Sequence, residues 1–533
     1  MNEELPSGWA GARVGDLARS NEQPVLTGPF GTSMGRGDFV SEGCPVLTIG
    51  CLTDSGIRVE KAMFVRAEKA TELERYQLRT GDLLFSRMAS VGRAGMVPET
   101  LDGALFNYHI MRLRLAESMM LPELFLAYVR GAAAVPKYLE DVNHGATRDG
   151  INTTQLVEMP VLVPPLNEQR RIVAKLEALQ SRSRAAREAL DAVPPLLEKL
   201  RQSILAAAFR GDLTKDWREK HPDVEPASEL LKRIRVKRRK KWEEAELAKM
   251  KAKGKVPKDD KWKAKYKEPA PVDTTGLPEL PKGWCWAAWT DVGFCQNGRA
   301  FPSAQYAKTG VKLLRPGNLH LSGELRWNQQ NTRRMPSKWA EEFPEFLVGP
   351  DELLMNLTAQ SLKDEFLGRV CLSGRGEKCL LNQRLARLTA LALPARYWLY
   401  FFKSPGFRRY VDTLNTGSLI QHMFTSQVEA CAVPLMPRDE AQFLVDAIDS
   451  KLATVGAMRT IVDEEPERLA GLDRSILAKA FRGELVPQDP NDEPAAVMLE
   501  RIKAQQASGD NGAPIKKGKR RGPAERATSR RNR

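Results

Sequence analysis

The residues that could carry chemistry in this chain are few and poorly spaced for it. No G-x-x-x-x-G-K-[ST] phosphate loop occurs among the 533 residues. Gly28-Pro29-Phe30-Gly31 and Gly92-Arg93-Ala94-Gly95 lack a following helical run whose N-terminus would hold an anion, so both read as turns. The seven cysteines form no C-x-x-C pair, the nearest neighbours being Cys44 with Cys51 and Cys371 with Cys379, and no histidine pair completes a zinc site. Pro222-Asp223 followed by Asp259-Asp260-Lys261 has the order of a nuclease P-D…D-x-K pattern. Such carboxylates must converge on a metal from adjacent strands, whereas these lie in a lysine-rich stretch without strand pattern. Pro164-Pro165 follows Val163, so it is not the N/D-P-P-F/Y/W segment of an amino-methyltransferase. The expectation is a chain that is not itself an enzyme and binds no metal or cofactor.

The elements that would position any binding residues emerge from an internal repeat. Ser203 to Leu213 reads S-I-L-A-A-A-F-R-G-D-L and returns at Ser475 to Leu485 as S-I-L-A-K-A-F-R-G-E-L, an offset of 272. Leu5-Pro6-Ser7-Gly8-Trp9 returns as Leu280-Pro281-Lys282-Gly283-Trp284, and Glu225-Pro226-Ala227 with Ile234 as Glu493-Pro494-Ala495 with Ile502. Asn143, Gly145 and Gln155 correspond to Asn415, Gly417 and Gln427. Residues 10–140 and 288–410 share little beyond skeletal positions such as Asn107 and Asn382, which reads as two modules doing one job on different targets; drift after duplication is the alternative.

Each copy ends in a long helical run. The first, after Pro164-Pro165 with Asn167 as N-cap, carries a seam of Ile172, Leu176, Leu179, Ser183, Ala186, Leu190, Val193, Leu197, Leu200, Ile204 and Ala207 in alternating steps of 4 and 3. That is the heptad pattern of a coiled coil. The second runs Leu444, Ile448, Val455, Met458, Val462, Leu469, Leu472, Ile476, interrupted by Lys451, Glu465 and Lys479. Pro194 and Pro466 should kink the two helices, and Gly211 should end the first in a left-handed cap. Short β-like runs (Pro45–Ile49, Asp82–Phe85, Ile110–Leu113) and short helices (Pro122–Gly131, Ala395–Phe402) predict small mixed modules between them. The expected fold is α/β (α+β): two mixed modules separated by two long helices packed as an antiparallel coiled coil, with a pseudo-twofold repeat. Boundaries fall at 1–165 (first module), 166–212 (first helix), 213–276 (basic helical linker), 277–437 (second module), 438–484 (second helix) and 485–533 (basic tail).

Composition agrees with packed cores: 42% hydrophobic and 28% charged residues. No stretch approaches the roughly 20 apolar residues of a membrane span, and Met1 to Leu5 lacks a signal-peptide layout, so a soluble cytoplasmic protein is expected. Of the net charge of +15, residues 214–270 carry +9 and residues 503–533 carry +8, leaving −2 for the rest. A basic linker and tail permit nucleic-acid binding without establishing it.

The L-P-x-G-W openings, P-P-L-N-E-Q-R-R-I-V at Pro164 to Val173, and the duplicated S-I-L-A-x-A-F-R-G-[DE]-L together resemble the specificity subunits of Type I restriction–modification systems, over essentially the whole chain. The second copy departs at Pro434 to Ala441, keeping Glu440 but placing Ala441 where Gln169 stands. The resemblance implies two target-recognition domains reading a bipartite, asymmetric site in double-stranded DNA. It also implies docking of two methyltransferase subunits, which bring S-adenosylmethionine, and of restriction/translocase subunits, which bring ATP and Mg. The helices would then set the distance and hold the partners through Ile172, Leu176, Leu190, Leu197, Ile204, Leu444, Ile448, Val462, Leu469 and Ile476. Base readers should be Arg, Lys, Asn and Gln on loops: Arg36, Arg87, Arg93 and Arg148 in the first domain, Arg315, Asn318, Gln360, Lys363 and Gln421 in the second, each with a side chain merely solvated or ion-paired on the surface as its alternative. Trp242, Trp262 and Tyr266 in the linker could stack on bases or pack on a partner, though a solvated helical arm is the reading preferred. A fused methyltransferase–nuclease partner and a coiled-coil scaffold that reads no DNA are the competing functions.

Overall fold

The computed structural model describes residues 5–507 apart from 20–21, 31–32, 54–55, 89–91, 144–149, 253–256, 258, 360–364 and 415–420. Four helices organise the chain: α1 (Leu166–Arg210), α2 (Ala227–Ala252), α3 (Arg438–Phe481) and α4 (Ala495–Ala507). Pro164-Pro165 blocks helix upstream of α1, and the Gln169 N–H donates to Pro165 O, so Asn167 lies inside the first turn rather than capping it. Its Oδ1 accepts from Arg170 instead. Gly211 follows α1 with φ +86°, and Gly483 follows α3 with φ +73°. A Cβ on Gly211 would lie 2.4 Å from Pro281, and one on Gly483 2.8 Å from Pro6. Glycine is needed twice over, for the left-handed turn and for the proline packed against it. Pro194, Pro195 and Pro466 stand inside helices that run without interruption. Among the described residues no helix is long and apolar enough to cross a membrane.

The chain forms two compact units, Met1–Ala189 with Glu464–Arg533, and Leu190–Asp463. In the first, Ala10–Arg13 pairs antiparallel with Pro160–Val163. A four-stranded antiparallel sheet runs Val25–Thr27, Ile110–Leu113, Leu83–Ser86, Ala94–Met96, and a mixed sheet runs Leu105–Phe106, Cys44–Leu47, Met63–Val65, Phe39–Val40. The second unit repeats this plan. Cys285–Ala288 pairs with Ala432–Leu435; Gly293–Asn297, Leu385–Ala390, Leu353–Asn356 and Val370–Leu372 form the antiparallel sheet. Its mixed sheet, Arg333–Met335, Val311–Leu314, Cys379–Leu381, Leu347–Val348, again contains one parallel pair, but the fourth strand joins the opposite edge. Central strands such as Leu83–Ser86 and Leu353–Asn356 are buried at every position, so they show no alternation in the sequence.

Each unit contains one end of each long helix, and the two ends run antiparallel. In the first, Ser183 Oγ donates to Asp473 Oδ2 (3.2 Å), Arg187 pairs with Asp473, and Ile172 and Leu176 share a core with Ala480 and Phe481. In the second, Leu205 and Ala208 share a core with Ala441, Leu444, Val445 and Ile448. Of the expected seam, Ile172, Leu176, Ser183, Leu197, Ile204, Leu444 and Ile448 are buried, whereas Leu190, Val462, Leu469 and Ile476 are only half-buried. Leu200, Met458 and Leu472 are 43%, 44% and 53% exposed, so a continuous heptad seam is not what forms. Ile172 and Leu176, and Leu444 and Ile448, are buried because the module cores cover those helix ends.

Both α2 and α4 close a unit. The Ala227 N–H donates to Gly283 O and the Ala495 N–H to Gly8 O, each at 2.8 Å. Arg235 pairs with Asp291 (2.9 Å) as Lys503 does with Asp16 (3.0 Å). Met498, Leu499 and Ile502 are buried in the first unit's core, which corrects the expectation of a tail over 485–533: residues 495–507 are an integral helix.

Beneath each closure sits a buried glutamate. Glu440 accepts from Trp284 Nε1 (2.9 Å) and Thr214 Oγ1 (2.7 Å) and pairs with Arg218 (2.8 Å). Glu168 is as deeply buried, but Val486 and Pro490 stand at the repeat positions of Thr214 and Arg218, and its Oε1 has no hydrogen-bond partner. Burial raises the Glu168 carboxyl above its ordinary pKa. Glu440→Gln should therefore destabilise the protein by about 2 kcal/mol in thermal unfolding, since it leaves half-buried Arg218 without its charge partner. Glu168→Gln should cost less than about 1 kcal/mol. With its folded-state pKa raised, the stability that Glu168 contributes is present at low pH and lost as pH rises through that value, so Glu168→Gln should gain on the parent as pH increases.

Candidate nucleic-acid interface

In the first unit the antiparallel sheet ends at Arg87, whose N–H donates to His109 O (3.0 Å) and whose carbonyl accepts from Ile151 N (2.9 Å). Beside it the chain turns at Asn107, whose Oδ1 accepts from the His109 N–H (3.1 Å). A Cβ at Gly28 would lie 2.3 Å from Asn107 O, so only glycine permits the approach that carries Phe30 to Tyr108. The result is an exposed ring stack: Phe30 on Tyr108 with centroids 5.8 Å apart and planes 24° apart, and Tyr108 on His109 at 3.9 Å. Phe30 is 58% and Tyr108 38% exposed. Burial, then the Arg87 charge, lowers the His109 pKa, which favours the neutral ring. Flat apolar faces beside a cation suit contact with base edges and thymine methyls.

The second unit builds the same corner from other side chains. Asn382 Oδ1 accepts from the Arg384 N–H (3.1 Å), and a Cβ at Gly298 would lie 2.1 Å from Asn382 O. This presents exposed Gln383 and Arg384 where the first unit has Tyr108 and His109. Thr358–Ala359 pairs with Gln421–His422, as Met88 bridges Gly150 in the first unit. Thr358 Oγ1 lies 3.2 Å from His422 Nδ1, and Gln421 Oε1 is buried with no partner. Arg299 lies over the Phe343 ring at 3.6 Å.

Of the expected readers, Arg87 and Gln421 stand at these corners. Arg36 is exposed on a short turn of helix, Arg36–Asp38, and Arg93 is exposed ahead of Ala94–Met96. Arg148, Gln360 and Lys363 lie outside the described residues, as do Gly145, Asn415, Gly417 and the side chain of Asn143. Asn318 is fully buried: its Oδ1 accepts from the Arg315 N–H (2.9 Å) and its Nδ2 donates to Arg326 O (3.3 Å). Cys51 closes the equivalent turn on Thr48 in the first unit, so Arg315 and Asn318 belong to a scaffold turn on the mixed sheet. The corners also display Phe30, Tyr108, Gln383, Arg384 and His422, which the sequence reading did not single out. The available signal was position: four of them lie within two residues of the matched Asn107–Asn382 and Gly28–Gly298 pairs, and the fifth, His422, lies beside Gln421.

Among the described residues no group of three or more His, Cys, Asp or Glu is arranged to hold a metal ion. Burial pushes the Cys285 thiol up to about 11 and Cys371 up to about 12, so neither offers a thiolate nucleophile near neutral pH.

Residues 6–191 match the family described as the Type I restriction modification DNA specificity domain. The chain is 27% identical over 276 residues to the specificity subunit of the Type I restriction enzyme EcoAI of Escherichia coli, a match covering 50% of this chain and 41% of that one. It is 33% identical over 178 residues to the StySPI specificity subunit of Salmonella potsdam, covering 31% and 38%. The chain thus spans less than half the length of either relative. Its fold is similar to that of the HsdS subunit from Thermoanaerobacter tengcongensis, with a TM-score of 0.52 at 18% identity over 91% of this chain and 99% of that one. A chain from a study of assembly and conformational transition of the type I R-M system gives 0.56, also at 18%, over 91% and 100%. At such identity the likeness is one of fold.

The corner residues divide into those that hold it and those it displays. Asn107→Ala and Asn382→Ala should each cost about 1 kcal/mol in thermal unfolding, as loss of a capping acceptor does. Tyr108→Ala and Arg384→Ala should stay within about 0.5 kcal/mol of the parent, as exposed substitutions do.

Proposed function

We propose that the chain is the DNA-reading, non-catalytic component of a Type I restriction–modification complex, because residues 6–191 match the Type I DNA specificity domain and the fold is similar to that of an HsdS subunit. Each unit reads one part of a bipartite, asymmetric site in duplex DNA. The observation that carries this is the matched corner: one Asn–Gly skeleton, built twice, displays Phe30, Tyr108, His109 and Arg87 in one copy and Gln383, Arg384, Gln421 and His422 in the other. A scaffold kept constant while its displayed groups change chemical type is what two readers of different sequences require. Phosphate contacts place such a protein on the duplex, and base-edge contacts choose the sequence.

Two methyltransferase subunits, carrying S-adenosylmethionine, and restriction/translocase subunits, using ATP and Mg, supply the reactions. This chain contributes recognition and docking, with α1 and α3 as the elements that set the separation of the two readings.

The test is the methylated motif. Exchanging residues 14–159, which lie between the paired strands Ala10–Arg13 and Pro160–Val163, for the same module of a relative should change one half of the motif read by single-molecule sequencing of the modified genome. Arg384→Ala should relax only the other half, with discrimination at one base pair weakened by about 1–3 kcal/mol. If either change alters both halves together, the two-reader assignment is wrong.

A further inference from the structure

Within the second unit, α2 runs for 26 residues, whereas its counterpart α4 is described over 13, Ala495–Ala507. The shared part does the shared work, with Ala227 and Ile234 buried and Arg235 paired to Asp291. Residues 237–268 are surplus to that closure. They hold 14 Lys and Arg against 6 Asp and Glu.

This surplus is not the solvated arm that its lysine content suggests. The chain returns along α2 through the 3-10 helix Asp260–Lys265, and Trp242 stacks on Trp262 (6.2 Å, 26°) and contacts Tyr266 (5.3 Å). Arg239 lies over the Tyr266 ring at 5.8 Å. Arg238 lies over Phe294 at 5.0 Å and donates to Thr290 Oγ1 (3.1 Å), which fastens the hairpin to the strand Gly293–Asn297.

Part of the charge on this hairpin is neutralised within it. Arg239 pairs with Glu243, Lys249 with Glu246, Lys261 with Asp259 and Lys263 with Asp260. Arg238, Lys241, Lys265 and Lys267 instead gather around an open groove with Trp242, Tyr266 and Phe294, and among the described residues none of these four is in an ion pair. Arg238 Nη1 and the Tyr266 hydroxyl are buried there without hydrogen-bond partners. Four cations with no ion pair among the described residues gather around one open groove, while Arg238 lies over Phe294 and Trp242 stacks on Trp262. That combination selects phosphate.

We propose that the groove of Arg238, Lys241, Lys265 and Lys267 is a sequence-independent clamp for the phosphate backbone of duplex DNA. The strand that carries Phe294 leads directly to Gly298 at the reading corner, about 13 Å away at ~3.3 Å per residue, within about four base-pair steps of duplex. The clamp rests on the DNA-reading proposal above and adds to it affinity without base preference.

The test uses the full chain assembled with its methyltransferase partners. Binding of a duplex bearing the methylated motif and of an unrelated duplex is titrated between about 50 and 200 mM salt, for the parent and for Lys241→Ala/Lys265→Ala/Lys267→Ala. Removing three phosphate contacts should lower the slope of log K against log salt by about 2–3 and weaken both duplexes by the same factor, on the order of 10-fold or more at low salt. The ratio of the two affinities and the methylated motif should not change. Trp262→Ala, which keeps every lysine but removes the staple, should lower the slope in the same direction. An unchanged slope overturns the clamp. So does a changed motif, which would make the hairpin a base reader, or loss of methyltransferase assembly, which would make it a protein-docking surface. If the parent fails to distinguish the two duplexes, the reading proposal fails, while the slope still decides the clamp.

Discussion

The structure depends on a crosswise closure. Each long helix ends at a left-handed glycine pressed against a proline of an L-P-x-G-W segment, Gly211 on Pro281 and Gly483 on Pro6, and the same segment accepts the first N–H of the helix beyond, from Ala227 or Ala495. These contacts bury the repeat's tryptophan and bring α2 or α4 over the two-stranded sheet that opens each module. The glycine, the proline and the tryptophan constrain one another, so they stay alike in the two copies. Residues on the far side of each module touch none of them and are free to differ.

That distinction explains what was legible in the sequence. Gly211, the helical runs beside it and the short helices Pro122–Gly131 and Ala395–Phe402 are local features, written in cap residues and in 3.6-residue periodicity. Which segment closes onto which was not legible, because a repeat identifies equivalent residues without saying where each one docks. Residues 495–507 therefore read as tail although they complete a core. Asn318 read as a loop donor because its counterpart in the scaffold turn is Cys51, a residue of another chemical type. Leu200, Met458 and Leu472 fit a heptad on paper but are exposed, because burial depends on what packs against each position and not on spacing alone. The corner residues Tyr108 and Arg384 were overlooked because attention to basic loop residues passes over the positions that a matched pair of turns displays.

Charge needs the same discrimination. Arg114 is buried against Asp82 (2.7 Å) and Glu22 (3.1 Å), and burial lowers the pKa of its neighbour Arg112 to about 10. Arg387, at the matching place in the second antiparallel sheet, is held by Glu352 and Gln296. The Arg114 and Arg387 guanidinium groups are internal struts, spent on carboxylate and carbonyl partners inside their own modules. A net charge of +15 therefore says less about binding than the location of the cations that the fold leaves unneutralised.

The crosswise closure also imposes an order on biosynthesis. The second unit is continuous from Leu190 to Asp463, whereas the first requires residues from both sides of it. As the chain leaves the ribosome, Ile172, Leu176 and Tyr128 emerge long before Ala480, Phe481 and Met498, which cover them. At about 5–20 residues per second, the interval between Ala189 and Ala507 is on the order of 15–60 s. For that time the first module waits with an apolar face uncovered while the second is able to finish. A message broken before the last helix would yield a protein with one sound half and one adhesive half, which is the kind of surface chaperones and proteases select.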